Sequence, residues 1–322
     1  MAELTDLIES SDLDGLIRRI EGICAARHWD DLIELRDRCL EAVSRGKQLW
    51  GVAQFAEYRV ALEAPATYAG RVVREGAGRF ALGPLWEVAA STHTWPEISA
   101  HVDDARLRTL IAHERLLRGE APPEDEIDPH VLEAPLCLEP WEPAYPVAAY
   151  RSDRADFPEP EWTDLDWVEL SGPVARAEPD DALEALLALV SPWTEQSNGR
   201  AEGVVVTGSA LDAIRTLGPH RARVAEIDGG EALALMAWTA ASGGAYGRRR
   251  GSPVGRMYAW WALASLLGLD DIEDPDLLGA GIGELVWMRW DPGDQIGGWG
   301  FHLAVADPDD GLAWAISAVD AV

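Results

Sequence analysis

The stretch GWGFHLAVADPDDGLAWAISAV, residues 298–319, decides the fold class of this 322-residue chain. Gly298 to Val305 and Leu312 to Val319 read as strands, and Asp307-Pro308-Asp309-Asp310-Gly311 between them has the composition of a turn. Just upstream, Glu284 to Trp290 alternates Leu285, Trp287 and Arg289 against Val286, Met288 and Trp290, which is strand spacing. Three strands in succession imply an antiparallel meander.

Moving back from the meander, helical patterns take over. Ser252 followed by Pro253 reads as an N-cap and first helical residue, and that helix runs to about Leu267 before Gly268. Glu231 to Ala241 is a second long helix. Gly203 to Thr207 (GVVVT) is a β-branched run with the character of a buried strand, and Gly208-Ser209 turns it into a helix over Ala210 to Leu217, with Ser209 as the cap. Ala182 to Val190 is a short helix. Residues 183–322 therefore form an α+β domain in which helices pack on a Trp-rich antiparallel sheet.

Residues 120–182 differ from both flanks. They carry 18 acidic residues against Arg151, Arg154 and Arg176, and they hold 11 of the 20 prolines. Prolines at that density exclude regular helix and central strand. Leu136, Leu138, Trp141, Tyr145, Val147, Tyr150, Phe157, Trp162, Trp167 and Val168 are too many large apolar groups to leave in water, so a strap laid on folded parts is expected.

Residues 1–119 read as helices with short breaks. Leu13, Leu16, Ile17, Ile20 and Ile23 make one stripe of helical period, and Leu32, Ile33, Leu35, Cys39, Leu40 and Val43 make the next. Asp12 is placed to cap the first and Gly46 to end the second. A third helix spans Leu49 to Leu62, followed by patterns over Thr67 to Arg74, Gly83 to Ser91 and Asp103 to Arg118. A stack of the HEAT or armadillo kind or a plain bundle fits equally, since no signature recurs at a fixed period. The chain as a whole is α+β.

Net charge is −29, from 27 basic and 56 acidic residues. A field of that sign repels nucleic acid and anionic membrane surfaces, and it favours a partner with a basic surface. Cys24, Cys39 and Cys137 have no metal spacing and read as reduced thiols. The opening MAELTDLIESSDL has neither a basic n-region nor an apolar h-region, and no apolar run approaches a membrane span, so a cytoplasmic location is expected.

One segment stands out against the acidic background: GGAYGRRRGSPVGRMYAWW, residues 243–261. Arg248, Arg249 and Arg250 precede a helix N-terminus and Arg256 lies one turn inside it. Free N–H groups, the helix dipole and guanidinium forks all favour an anion there. Ser252 and Trp260 complete this candidate ligand- or partner-binding set. The competing reading is that these arginines pair with the acidic 120–182 segment. No Gly-Lys-Ser/Thr ending marks a P-loop, and Gly279, Gly281 and Gly283 precede a strand, the wrong context for dinucleotide binding. Ser209 lacks a G-x-S-x-G setting, and His93, His101 and His113 with Glu87 and Glu114 match no ligand spacing. No catalytic residue, metal site or cofactor is therefore assigned.

The segments RFALGPLWEVAASTHTWPEISAHVDD, IAHERLLRGE and AYGRRRGSPVGRMYAWWALASLLG resemble stretches of an uncharacterised family of helical proteins from high-GC bacteria, a resemblance that implies no activity. The residues themselves favour a non-catalytic function: an acidic cytoplasmic protein-binding or adaptor protein, in the manner of an immunity or antitoxin-like inhibitor of a basic partner. Two alternatives stand beside it. One is an enzyme or receptor whose small phosphate or carboxylate ligand docks on the 248–256 loop; the other is a structural subunit of a larger assembly.

Overall fold

The computed structural model describes residues 2–76, 82–161, 163–173, 175–269, 274–293 and 297–321; Trp162 lies outside them. The chain forms two compact units. The first takes in residues 1–131 and 148–157, the second residues 132–147 and 158–322. The acidic 120–182 segment thus contributes to both.

In the first unit the helices are α1 (Ala2–Ser10), α2 (Leu13–Ala26), α3 (Trp29–Ser44), α4 (Trp50–Glu63), α5 (Ala66–Val72), α6 (Leu85–Thr92), α7 (Trp95–Ile98) and α8 (Ala105–Leu117). The Asp12 carboxylate accepts the N–H of Gly15 at 2.9 Å and so starts α2. Gly46, at φ +93°, turns the chain out of α3 in a conformation that a Cβ would oppose. Helix α4 is the centre of the unit, packed against α2, α3, α5 and α6. It is buried nearly all round, including Gln54, Glu57 and Arg59. Those charges persist because they are paired: Glu57 accepts from Arg36 and Arg74, and Arg59 donates to Glu63. The α2 stripe is only partly used. Leu16, Ile20 and Ile23 are buried, whereas Leu13 and Ile17 are 48% and 38% exposed, so the apolar arc is wider than the face it covers. A two-strand ribbon, β1 (Ala149–Tyr150) and β2 (Ala155–Asp156), closes the unit. The Tyr150 hydroxyl bonds the fully buried Glu87 carboxylate at 2.6 Å.

The second unit is a seven-stranded sheet with helices. Its strands are β3 (Asp166–Glu169), β4 (Ala175–Arg176), β5 (Arg200–Thr207), β6 (Arg221–Ile227), β7 (Val286–Asp291), β8 (Gly298–Asp307) and β9 (Leu312–Ala321). They lie in the order β3-β6-β7-β8-β9-β5-β4, antiparallel at every step. The expected meander is β7-β8-β9. Its last hairpin closes at Asp307 opposite Leu312, where the Asp307 carboxylate accepts the N–H groups of Asp309 and Asp310 and Gly311 takes φ +67°. The flanking strand β6, sequence RARVAEI, was not anticipated. Its few buried residues, Ala222, Val224 and Ile227, are interrupted by Arg221, Arg223 and Glu226.

The helices of this unit are α9 (Asp181–Leu189), α10 (Ser191–Gln196), α11 (Ala210–Thr216), α12 (Gly229–Ala241), α13 (Ser252–Leu266) and α14 (Pro275–Ile282). Ser209 caps α11 in a reciprocal box with Asp212. One sheet face presents Val204, Val206, Ala304, Ala306, Ala313 and Ala315 to Ala213 and Ile214 of α11; small side chains let that short helix sit close. Elsewhere Trp238 of α12 stacks on Trp299 of β8 at 5.0 Å, and Trp193 of α10 lies 6.2 Å from the same ring. The glycine string falls in and after α14. Gly279 has no room for a Cβ beside the Trp141 ring, nor Gly281 beside Leu267, so both are packing positions.

One boundary corrects the sequence reading. The N-cap of α13 is Gly251, at φ +97°, and Ser252 is the first helical residue. The turn into the helix needs a conformation that glycine adopts freely and serine does not. The Ser252 hydroxyl instead accepts from Arg249 at 3.1 Å.

Helices α12 and α13 touch through Gly255, where a Cβ would stand 2.2 Å from the Ala237 carbonyl oxygen. Alanine would gain up to ~1 kcal/mol in helix propensity. The obstruction is backbone, however, and forced overpacking costs about 1–3 kcal/mol or more. Gly255→Ala is therefore expected to destabilise the chain, read as a lowered urea midpoint; an unchanged or raised midpoint would show that the two helices are free to separate.

Candidate functional site

The centre of the basic stretch faces inward. Arg256 projects from the first turn of α13 with its side chain 1% exposed, and it meets Glu142, equally buried. Nε donates to Glu142 Oε2 at 2.7 Å and one terminal nitrogen to Oε1 at 2.7 Å, a bidentate pair. The same terminal nitrogen donates to the Cys137 carbonyl, and the other to the Pro135 carbonyl, both at 2.7 Å. One turn on, the Trp260 indole N–H donates to Glu142 at 2.8 Å while its ring lies 5.0 Å beneath the guanidinium. The Tyr145 hydroxyl and the Glu139 N–H complete the carboxylate's partners. Residues 135–145 are thus fastened to α13 through a fully bonded ion pair.

Physical consequences follow for the charges. Burial alone would raise the Glu142 pKa, but the Arg256 bonds and charge, with those of Tyr145 and Glu139, hold it below the ordinary carboxylate range. Burial and the adjacent carboxylate push Tyr145 well above the usual phenol value.

The other residues of the candidate set are placed differently. Arg250 donates to the Ala188 carbonyl and the Ser191 hydroxyl and lies 4.3 Å over the Tyr258 ring; burial lowers its pKa. Arg249 bonds Ser252. Arg248 is exposed, its backbone N–H held by Gln196. Arg256 and Trp260 therefore converge on one carboxylate, Arg249 joins Ser252, and Arg250 ties the loop to α9 and α10. Glu142 and Tyr145 were missed by sequence reasoning, and nothing in their local pattern sets Glu142 apart from the 17 other acidic residues around it.

Beside this centre the second unit has an open groove of about 820 Å³. Its apolar surface comes from Trp141, Pro143, Tyr145, Pro146, Pro160 and Ile282, and its charge from Glu159, Glu161, Asp228 and Glu231. Asp228 and Glu231 are set by a capping box: the Asp228 carboxylate accepts the Glu231 N–H at 2.8 Å, and Glu231 accepts the Asp228 N–H at 3.1 Å. Among the described residues that line the groove, none is basic. Arg289 lies in a smaller adjoining recess with Pro160, Glu161 and Glu231. Burial lowers its pKa to about 10 against the opposing pull of Glu159, Asp291 and Glu231, so it stays charged near neutrality. With Glu142 neutralised by Arg256, the described residues set four carboxylates of the groove against the guanidinium of Arg289. The first unit has its own groove of about 550 Å³ along Trp95, Pro96, Pro122 and Pro123, where Trp95 donates to both Glu120 and Glu126.

Among the described residues no group of three or more His, Cys, Asp or Glu side chains is arranged to hold a metal ion, and no helix is long and apolar enough to cross a membrane. His302 of β8 sits 3.1 Å from the Ser317 hydroxyl and against Trp290, its pKa lowered by burial to about 4.

Fold and site together define an α+β protein with a helical N-terminal unit and a helix-backed antiparallel sheet that carries an acidic, aromatic groove. A family model matches residues 14–321, and the chain belongs to that family, the family of unknown function DUF6183. Comparison with curated proteins and with solved structures returns no match to either.

Replacing Glu142 with glutamine leaves the Arg256 charge buried without its counter-ion, an error that costs about 3–5 kcal/mol in comparable pairs. The folded-state pKa of Glu142 is depressed, so its contribution is present above the unfolded carboxylate value near 4.5 and is lost as pH falls below it. Glu142→Gln is expected to lower Tm at pH 7 and to narrow its gap from the parent as pH falls from about 5, because the unfolded carboxyl takes up its proton near 4.5 and the native one only at lower pH. A constant gap over that fall in pH, read by thermal unfolding, would remove the ion pair from the account.

Proposed function

We propose that this protein is a non-catalytic binding protein for a partner with a basic surface, in the manner of an immunity or antitoxin-like inhibitor. The observation that carries this reading is the division of charge in the second unit. The cations of the 248–256 loop that lie inside the fold serve internal partners, Arg256 with Glu142 and Arg250 with Ala188 and Ser191. The carboxylates at Glu159, Glu161 and Asp228 stand at the surface. The net charge of −29 would draw a basic protein in over a range set by the ionic strength.

A cytoplasmic setting suits a chain with reduced cysteines and no membrane-crossing helix among its described residues. We place its source among high-GC bacteria, as the resemblance implies; Arg outnumbers Lys, which occurs once, at Lys47, and arginine has the GC-rich codons.

The test is capture of partners from source-cell lysate on the immobilised chain across a salt series. A single stoichiometric basic protein is expected, held at about 0.05 M salt and released by about 0.5 M, where the screening length has shrunk to a few ångströms. Recovery of no stoichiometric protein at low salt, or of one whose retention ignores salt, would overturn the reading.

A further inference from the structure

We infer that the groove beside Trp141 and Tyr145 binds an extended, arginine-bearing peptide segment of the partner. This rests on the reading of the protein as an acidic binder and names the place and the chemistry of contact.

Three features of the groove select that occupant. Its shape comes first: about 820 Å³ of open trough suits a chain running through it more than an enclosed small molecule. Its surface is the second. Trp141, Tyr145 and the prolines at 143, 146 and 160 give an apolar lining of rings and stiff backbone. An extended segment with proline or aliphatic residues can lie on such a surface without losing much of its own conformational entropy.

Charge is the third feature and decides the polar part. Glu159, Glu161, Asp228 and Glu231 line the groove, Arg289 opposes them from the neighbouring recess, and the balance stays negative. An anionic or neutral peptide gains nothing there. A guanidinium fits better than an ammonium, because its planar fork bonds a carboxylate in two places and its face stacks on an aromatic ring. The molecule already uses this combination once, where Arg256 lies bidentate on Glu142 over the Trp260 ring, a few residues from the groove.

The carboxylates are also held in position. Asp228 and Glu231 are mutually locked by their capping bonds, and Glu231 accepts in addition from the Thr163 hydroxyl at 2.9 Å. Each carboxylate retains acceptor capacity beyond those bonds, since an ionised carboxyl has about four lone-pair directions.

The probe is an acetylated, amidated octapeptide of alternating arginine and proline, titrated by calorimetry and followed by hydrogen exchange. One-to-one binding is expected, with exchange slowed over residues 228–234 and 141–146. The double variant Glu161→Gln with Asp228→Asn, in which asparagine still caps α12, is expected to weaken binding about tenfold, or ~1.4 kcal/mol. A control of equal charge change, Glu178→Gln with Asp309→Asn, alters exposed residues away from the groove lining and should weaken binding less than about twofold, as screened distant charges do. Circular dichroism and Tm establish that both variants fold.

Equal weakening by the two variants would overturn the groove assignment and leave a general acidic field. So would a parent chain that ignores the arginine peptide while still capturing a basic protein from lysate, in which case the binding-protein reading stands and the site falls. If the peptide binds in the groove but no basic partner is captured, the site stands and the broader reading falls. A lysine–proline octapeptide that binds as tightly as the arginine one would overturn the guanidinium preference.

Discussion

The buried pair between Arg256 and Glu142 organises the second unit. It takes a strongly charged cation out of the basic loop, neutralises one of many carboxylates, and in doing so fixes the acidic segment 135–145 against α13. Desolvating two ions is unfavourable, and the cost is offset only because each has hydrogen-bond partners beyond the other: two carbonyls for the guanidinium, an indole, a phenol and a backbone N–H for the carboxylate. A less complete shell would make the same pair a source of instability. Tyr145, which donates to Glu142, and Trp141, whose ring lies 5.0 Å from that of Trp260, both line the groove. The support of the ion pair and the lining of the groove therefore share residues.

That arrangement changes the meaning of the basic stretch at 243–261. Viewed along the chain, four arginines within nine residues suggest an anion site. In three dimensions they part: Arg256 meets Glu142 and two carbonyls, Arg249 meets Ser252, Arg250 joins the loop to α9 and α10, and Arg248 is exposed. What remains prominent on the second unit is the negative side of the same electrostatic arrangement, concentrated where four segments converge around Asp228 and Glu161.

The parts of the fold that were legible in the sequence share a physical property: their information is local. The β8–β9 hairpin announces itself through alternation and an Asp-rich turn, Ser209 through its cap chemistry, and α2 and α3 through apolar stripes. The unreadable parts depend on distant partners. Strand β6 has too few apolar residues to declare itself and is stabilised by pairing with β3 and β7. The glycines at 279 and 281 are explained by Trp141 and Leu267, far away in sequence or packed from another helix. Glu142 lies 114 residues from Arg256, and no local pattern distinguishes it from its acidic neighbours. The groove is assembled from segments near residues 141, 159, 228 and 282, so no single window of sequence contains it.

The ribbon at residues 148–157 has a further consequence for how the chain matures. It belongs to the first unit, yet the preceding residues, 132–147, belong to the second. As the chain is synthesised, α1 to α8 emerge before the strand that completes them. Until Tyr150 arrives, the carboxylate of Glu87 lacks its hydroxyl partner and the Tyr58 hydroxyl lacks the Arg151 carbonyl it bonds. The helical unit must wait, incompletely sealed, for a segment that follows residues committed elsewhere. Cutting the chain after residue 131 would leave it in that state permanently.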